Sequence, residues 1–186
     1  MTSKGIRRRI CRIFVNHLLP AGRCFAARRR LMSWAGYRIG DGTRIFGPVH
    51  ISGELTVGRN CWIGRNMTVH GNGSVVIGDN CDIAPDVTFF TGGHALGDHE
   101  RRAGAGETYH ITVGNGTWLG GRASILRNTR IGSGCVIAAC ACSSGAAVCF
   151  PLRDITFFSP FLLISSPVKF RYPATAINTA RAVMIH

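Results

Sequence analysis

The chain has no stretch approaching the roughly 18 consecutive apolar residues of a membrane-spanning helix. The apolar run at residues 157–164 is only eight residues long. Residues 6–19 lack the unbroken apolar core of a secretory signal, because Arg12, Asn16 and His17 interrupt it. Acidic side chains are scarce, nine against 22 Lys and Arg, for a formal net charge of +13. Residues 1–38 hold none, yet carry Lys4, Arg7, Arg8, Arg9, Arg12, Arg23, Arg28, Arg29, Arg30 and Arg38. That asymmetry calls for a polyanionic neighbour: anionic lipid, nucleic acid or a phosphorylated ligand. No motif with base-reading spacing accompanies it, so no nucleic-acid partner is expected. Paired cysteine motifs are also lacking. Cys140 and Cys142 form C-x-C without a second pair, so no metal is expected there. The eight cysteines do not read as a disulfide framework, and a reducing, cytoplasmic setting fits them.

What the chain does have is a period of six. Ile39, Ile45, Ile51, Val57, Ile63 and Val69 keep one register; Ile77, Ile83 and Phe89 follow after a two-residue insertion. Val113, Leu119, Ile125, Ile131 and Ile137 resume it after a long interruption. A Gly or Ala often comes next, as at Gly40, Gly58, Gly64, Gly78, Ala84, Gly114, Gly120, Gly132 and Ala138. Four positions past each aliphatic stands a small or medium residue, among them Thr43, Cys61, Met67, Cys81, Ala123 and Cys135. Neither a helix nor a simple strand repeats at six. A solenoid does, because each unit buries its apolar face only by stacking on the next. Three six-residue faces make a coil of about 18 residues, giving close to five coils of parallel β-helix. The aliphatic points inward, the glycine serves a tight corner, and the fifth position fills the remaining interior. Cys61, Cys81 and Cys135 fall in that fifth position and read as small buried groups.

The chain thus divides into a basic N-terminal helical segment (residues 1–38), the β-helix (residues 39–142, with a loop at 94–112) and an atypical tail (residues 143–186). In the first, Ile6, Ile10, Phe14 and Leu18 share one helical face, and Pro20 should end the helix. Two roles suit it: packing over the open end of the solenoid, or lying peripherally on an anionic membrane surface, at the inner face. A second basic cluster, Arg28 to Arg30, precedes the first coil.

Two segments carry a resemblance. They are Asn80-Cys-Asp-Ile-Ala-Pro-Asp-Val-Thr-Phe-Phe-Thr-Gly-Gly-His94 and Ile111-Thr-Val-Gly-Asn-Gly-Thr-Trp-Leu-Gly-Gly-Arg-Ala-Ser-Ile125. Over about residues 36–141 the chain resembles the hexapeptide-repeat acyltransferases, in particular the maltose, galactoside and polysaccharide O-acetyltransferases. The resemblance implies an all-β solenoid with a left-handed parallel β-helix, an acetyl-CoA donor, a saccharide acceptor such as a surface-polysaccharide unit, and a homotrimer. Attack by a hydroxyl on a thioester needs a base and donors for the oxyanion, and histidine suits the base. His94, after Thr-Gly-Gly, stands where the family places its catalytic histidine. Asp98 or Glu100 would orient its other ring nitrogen, and both are counted on the acceptor side of the loop; spacing does not choose between them. His70 and Asn72, in the excursion after the second coil, are candidates for the acceptor sugar. Trp118, Gly120, Gly121, Ala123, Ala138 and Ala139 would border the pantetheine arm of the donor, and Arg122 and Arg127 would meet its phosphates.

Two other readings stand beside this one. His94 and His99 have the five-residue separation of γ-class carbonic anhydrases, although both sit in a loop expected to be irregular and His70 is the only third ligand. A non-catalytic solenoid is the other. Ser143 occupies a position due an aliphatic, and the closing segment of the family is not found in residues 143–186, as after a lost reading frame.

Overall fold

A computed structural model describes residues 3–147, and the period of six becomes a three-faced coil within them. Arg38–Ile39, Glu54–Val57, Ser74–Ile77 and His110–Val113 stack in parallel on one face. Arg44–Ile45, Trp62–Ile63, Asp82–Ile83, Trp118–Leu119 and Val136–Ile137 form a second. Val49–Ile51, Met67–His70, Thr88–Phe90 and the start of Ser124–Ile131 form a third. The end of Ser124–Ile131 turns the corner and pairs with His110–Val113, which joins the first and third faces into one sheet. Equivalent aliphatics stand directly opposite: Ile45 on Ile63, Ile63 on Ile83, Ile83 on Leu119, and Leu119 on Ile137. The register predicted from the sequence is the register observed.

The interior follows from that alignment. Ile63, Val69, Ile83, Phe89, Leu119 and Ile125 are completely buried, and so are Cys81, Ala123, Thr129 and Cys135 of the fifth position. Both thiols of the cysteine step act as donors to the next coil, Cys61 to the Gly78 carbonyl (3.0 Å) and Cys81 to the Gly114 carbonyl (3.1 Å).

The glycines after the aliphatics do a different job from the corner turn expected of them. Gly120 does not adopt positive φ. A Cβ there would lie 2.5 Å from the Ala139 nitrogen, so the missing side chain is what lets two coils approach. The left-handed corner conformation falls two residues later, on Gly42, Gly116 and Gly134 and on Asn or Asp at four other corners. Asn60, Asn66, Asn80 and Asp86 take φ of 55°, 59°, 57° and 63°. Their short polar side chains tolerate that region better than most.

Ser143 also corrects an expectation. The repeat does not end at Ile137: Cys142–Ala147 pairs in parallel with Ser124–Ile131, and Ser143 stands half-buried opposite Ile125. Backbone pairing carries the coil past the missing aliphatic. The remainder of the tail, including residues 157–164, lies outside the described residues.

Two helical pieces close the first coil. Ser3–Ile13 continues into a wider π turn, Phe14–Leu18, before Pro20; Phe25–Trp34 follows. The face turned to the coil is not the apolar stripe of Ile6, Ile10, Phe14 and Leu18. Cys11 and Val15 are buried, whereas Ile6, Ile10, Phe14 and Leu18 are exposed. Polar anchors set this orientation. Lys4 and Arg8 bind the Glu54 carboxylate at 2.8 and 2.7 Å, and the Arg8 guanidinium lies 4.6 Å from the Tyr37 ring centroid. Asn16 completes the unpaired edge of Val49–Ile51: its amide donates to the Val49 carbonyl (2.8 Å) and its oxygen accepts from the Val49 N–H (3.0 Å). An uncovered strand edge is a template for aggregation, and this contact blocks it. Arg28 is no surface cation. It is fully buried and donates to the carbonyls of Val15 (2.6 Å), Leu19 (2.7 Å) and Pro20 (3.0 Å), the orphan acceptors at the end of the first helical piece.

Candidate active site

The long interruption of the repeat is a β-hairpin rather than an irregular loop. Gly92–Leu96 and Ala103–Thr108 pair antiparallel, with Gly92 opposite Thr108, Gly93 opposite Glu107 and His94 opposite Gly106. It leaves the coil at the corner between the third and first faces. Thr91, wholly buried, fixes its base: its N–H and hydroxyl both donate to the His70 carbonyl (2.7 and 2.8 Å), and its own carbonyl accepts from the Tyr109 N–H (2.8 Å). Sequence reading missed Thr91 and Tyr109 because neither belongs to the repeat.

His94 is exposed on the first strand of this hairpin. Its Nδ1 lies 2.9 Å from the carbonyl oxygen of Gly104. A carbonyl only accepts, so Nδ1 carries the proton and the neutral ring keeps its lone pair on Nε2. That is the tautomer a general base needs. The orienting group is therefore a backbone carbonyl across the hairpin, not Asp98 or Glu100. The Asp98 carboxylate instead accepts from the backbone N–H groups of Glu100 (3.1 Å) and Arg101 (2.9 Å), closing the hairpin turn. Glu100 is exposed in that turn.

Close packing supports the histidine from below. A Cβ on Gly93 would lie 2.8 Å from the Tyr109 ring, so glycine is required where the strand crosses it. The Tyr109 hydroxyl donates to Glu107 at 2.6 Å, and that carboxylate holds the phenol above its ordinary range. The Arg127 guanidinium lies 6.0 Å from the same ring centroid, beside the hairpin base. His70 stacks on Phe90 with ring centroids 5.3 Å apart, and Asn72 lies exposed in the short excursion beside the hairpin base.

The residues expected along the donor divide into two groups. Trp118 projects from the second face and is 53% exposed. Gly121, Ala138 and Ala139 lie near it at the corner after that face, with both alanines exposed, and Arg122 is exposed beside them. This small-residue ledge next to an indole can take a slender amide-bearing chain. Gly120 and Ala123 belong to the coil instead. Gly120 is buried against Ala138 and Ala139, and Ala123 is buried with its carbonyl accepting from Thr88. Within one chain the hairpin and Trp118 lie on different parts of the coil. Among the described residues no three His, Cys, Asp or Glu side chains gather as a metal site, so His70, His94 and His99 do not form the zinc arrangement considered above.

A parallel three-faced β-solenoid with an exposed histidine on an inserted hairpin is the architecture expected of a hexapeptide-repeat protein. The comparisons agree. The bacterial transferase hexapeptide (six repeats) family matches residues 110–142, and the hexapeptide repeat of succinyl-transferase matches residues 54–85. Both matched segments lie within the β-helix, so the chain carries hexapeptide repeats like those of these transferase families. It is 30% identical over 103 residues to the galactoside O-acetyltransferase of Escherichia coli, covering 54% of this chain and 51% of that protein. A galactoside acetyltransferase structure in complex with coenzyme A superposes with a TM-score of 0.52 at 25% identity, over 76% of each chain. The N-acyltransferase AntD from Bacillus cereus, in complex with dTDP and coenzyme A, shares the fold at a TM-score of 0.50 and 20% identity, over 66% of this chain and 73% of that one. The chain spans about half the length of the curated relatives it matches, 51% and 44%.

Proposed function

We propose that this chain is an acetyl-coenzyme A-dependent O-acetyltransferase acting on a saccharide hydroxyl, with His94 as general base. The observation that carries the reading is the 2.9 Å contact from His94 Nδ1 to the Gly104 carbonyl, which in the neutral ring places the lone pair on Nε2. The acceptor hydroxyl donates its proton to Nε2 as its oxygen attacks the thioester carbonyl. The tetrahedral intermediate collapses with cleavage of the C–S bond, and the departing thiolate takes the proton back from His94. The products are an acetyl ester and free coenzyme A. Trp118, Gly121, Ala138 and Ala139 would lie along the donor. His70, Asn72 and the hairpin would meet the acceptor.

The separation of the hairpin from the second face supports a homotrimer, in which the hairpin of one subunit and the Trp118 ledge of its neighbour close one cleft. The saccharide class rests on the relative that acts on a galactoside. The test is coenzyme A release from acetyl-coenzyme A with a panel of saccharide hydroxyl acceptors and amino-sugar acceptors. Release with hydroxyl acceptors and formation of an ester supports the proposal. Transfer confined to amines overturns the O-acetyl assignment.

A further inference from the structure

The first helix turns its most apolar stripe away from the coil. Cys11 and Val15 face inward, while Ile6, Ile10, Ile13 and Phe14 are 39–45% exposed on the opposite side. At about 100° per residue these four fall within about 100° of one another. Leu18 and Trp34 are exposed as well, and the Arg7 guanidinium lies 5.7 Å from the Trp34 ring centroid, tying that indole to one rim of the stripe. Arg9 borders the other rim, and Arg12 lies further round the helix from the stripe. Both are exposed, and neither makes an ion pair among the described residues. The cations already neutralised, Lys4 and Arg8, point the other way, to Glu54. The outward side is therefore an apolar stripe rimmed by uncompensated arginines, in a 38-residue segment without an acidic side chain.

We infer that this face docks on the headgroup region of an anionic phospholipid bilayer, with the helix lying in the plane of the surface. A bilayer supplies both complements at once: a hydrocarbon boundary for the isoleucines and Phe14, and phosphate groups for Arg7 and Arg9, with Arg12 adding longer-range attraction to the anionic surface. Indoles such as Trp34 favour that interfacial depth. No described helix is long and apolar enough to cross the membrane, so the contact is peripheral. The helix is already held by Glu54 and Asn16, so docking does not have to order it. The inference is independent of the acetyltransferase reading.

The test is flotation of the full chain with phosphatidylcholine vesicles, with and without phosphatidylglycerol. Wild type should float with the anionic vesicles. Ile10→Asn/Phe14→Asn and Arg9→Gln/Arg12→Gln should each lower partitioning at least about tenfold. All four side chains are exposed, and unchanged circular dichroism and Tm verify folding; Ile6→Asn/Ile13→Asn serves if the first apolar pair misfolds. Equal partitioning onto neutral and anionic vesicles overturns the inference, as does an apolar variant that binds like wild type. A chain that does not float but self-associates through this stripe assigns it to a second copy and also overturns it.

Discussion

The His94 side chain reaches diagonally across the hairpin to Gly104, its imidazole Nδ1 2.9 Å from the carbonyl oxygen. The residue that orients the proposed base is thus one whose side chain is absent. The contact depends on backbone register, and that register depends on what the hairpin strands pack against.

Gly93 should be the most sensitive position beside His94. A methyl there would meet the Tyr109 ring at 2.8 Å and the hydroxyl at 2.9 Å, so strand or ring must move. Displacing the base by a fraction of an ångström should lower kcat of Gly93→Ala roughly tenfold or more. Steady-state kinetics, with circular dichroism to show that the coil persists, checks this.

Neighbouring glycines at the second-face corner should behave oppositely. Gly120→Ala forces a Cβ within 2.5 Å of the Ala139 nitrogen and should cost about 1–3 kcal/mol. Gly121→Ala meets only the Pro85 oxygen, at 3.5 Å, and should stay within about 0.5 kcal/mol of wild type. Paired denaturant titrations decide it.

Asn16 protects the first strand edge through two hydrogen bonds to Val49. Asn16→Ala should destabilise the protein by about 1–3 kcal/mol and accelerate hydrogen exchange at the Val49 amide. Unchanged exchange there would show that the edge is protected by something else.

Acid should loosen the first helix. The Lys4 hydrogen bond, with Arg8 adding to it, holds the Glu54 carboxyl below its ordinary range. A carboxyl depressed in the folded state contributes stability above its unfolded value of about 4.3, and that contribution is lost as pH falls through the lower folded value. Tm should therefore drop faster with acid in wild type than in Glu54→Gln below about pH 4.3. Because Glu54 is half exposed, the difference should shrink in salt.

Thiol labelling reports the coil interior. Cys24, Cys140 and Cys142 are exposed and should react in the native state, whereas Cys11, Cys61, Cys81 and Cys135 should wait for unfolding. The Cys61 sulfur beside it and burial push the Cys81 thiol far up, which suppresses the reactive thiolate further. Peptide mapping after timed alkylation gives the order.

The sequence made the coils legible from Ile39 to Ile137 because a buried aliphatic at every sixth residue has no other periodic explanation. The resemblance, through the Thr-Gly-Gly before it, singled out His94 as the candidate base. Its hydrogen-bond partner was not legible. A backbone carbonyl has no signature in side chains, so Asp98 and Glu100 drew attention by chemistry that they spend elsewhere or leave exposed. The first helix was only partly legible for a related reason. Its apolar stripe suited either the coil or a membrane surface, and Arg8 and Asn16 turn the helix so that Cys11 and Val15 face the coil. Arg28 looked like part of a surface cluster because its three carbonyl partners come from a helix end that only the fold brings near.

The most direct test compares wild type and His94→Ala in acetyl-coenzyme A turnover with a saccharide acceptor, alongside coenzyme A binding by calorimetry. The account predicts that kcat falls at least about 10²-fold while coenzyme A affinity is unchanged. Equal turnover by the two proteins would contradict a base role for His94, whatever the fold.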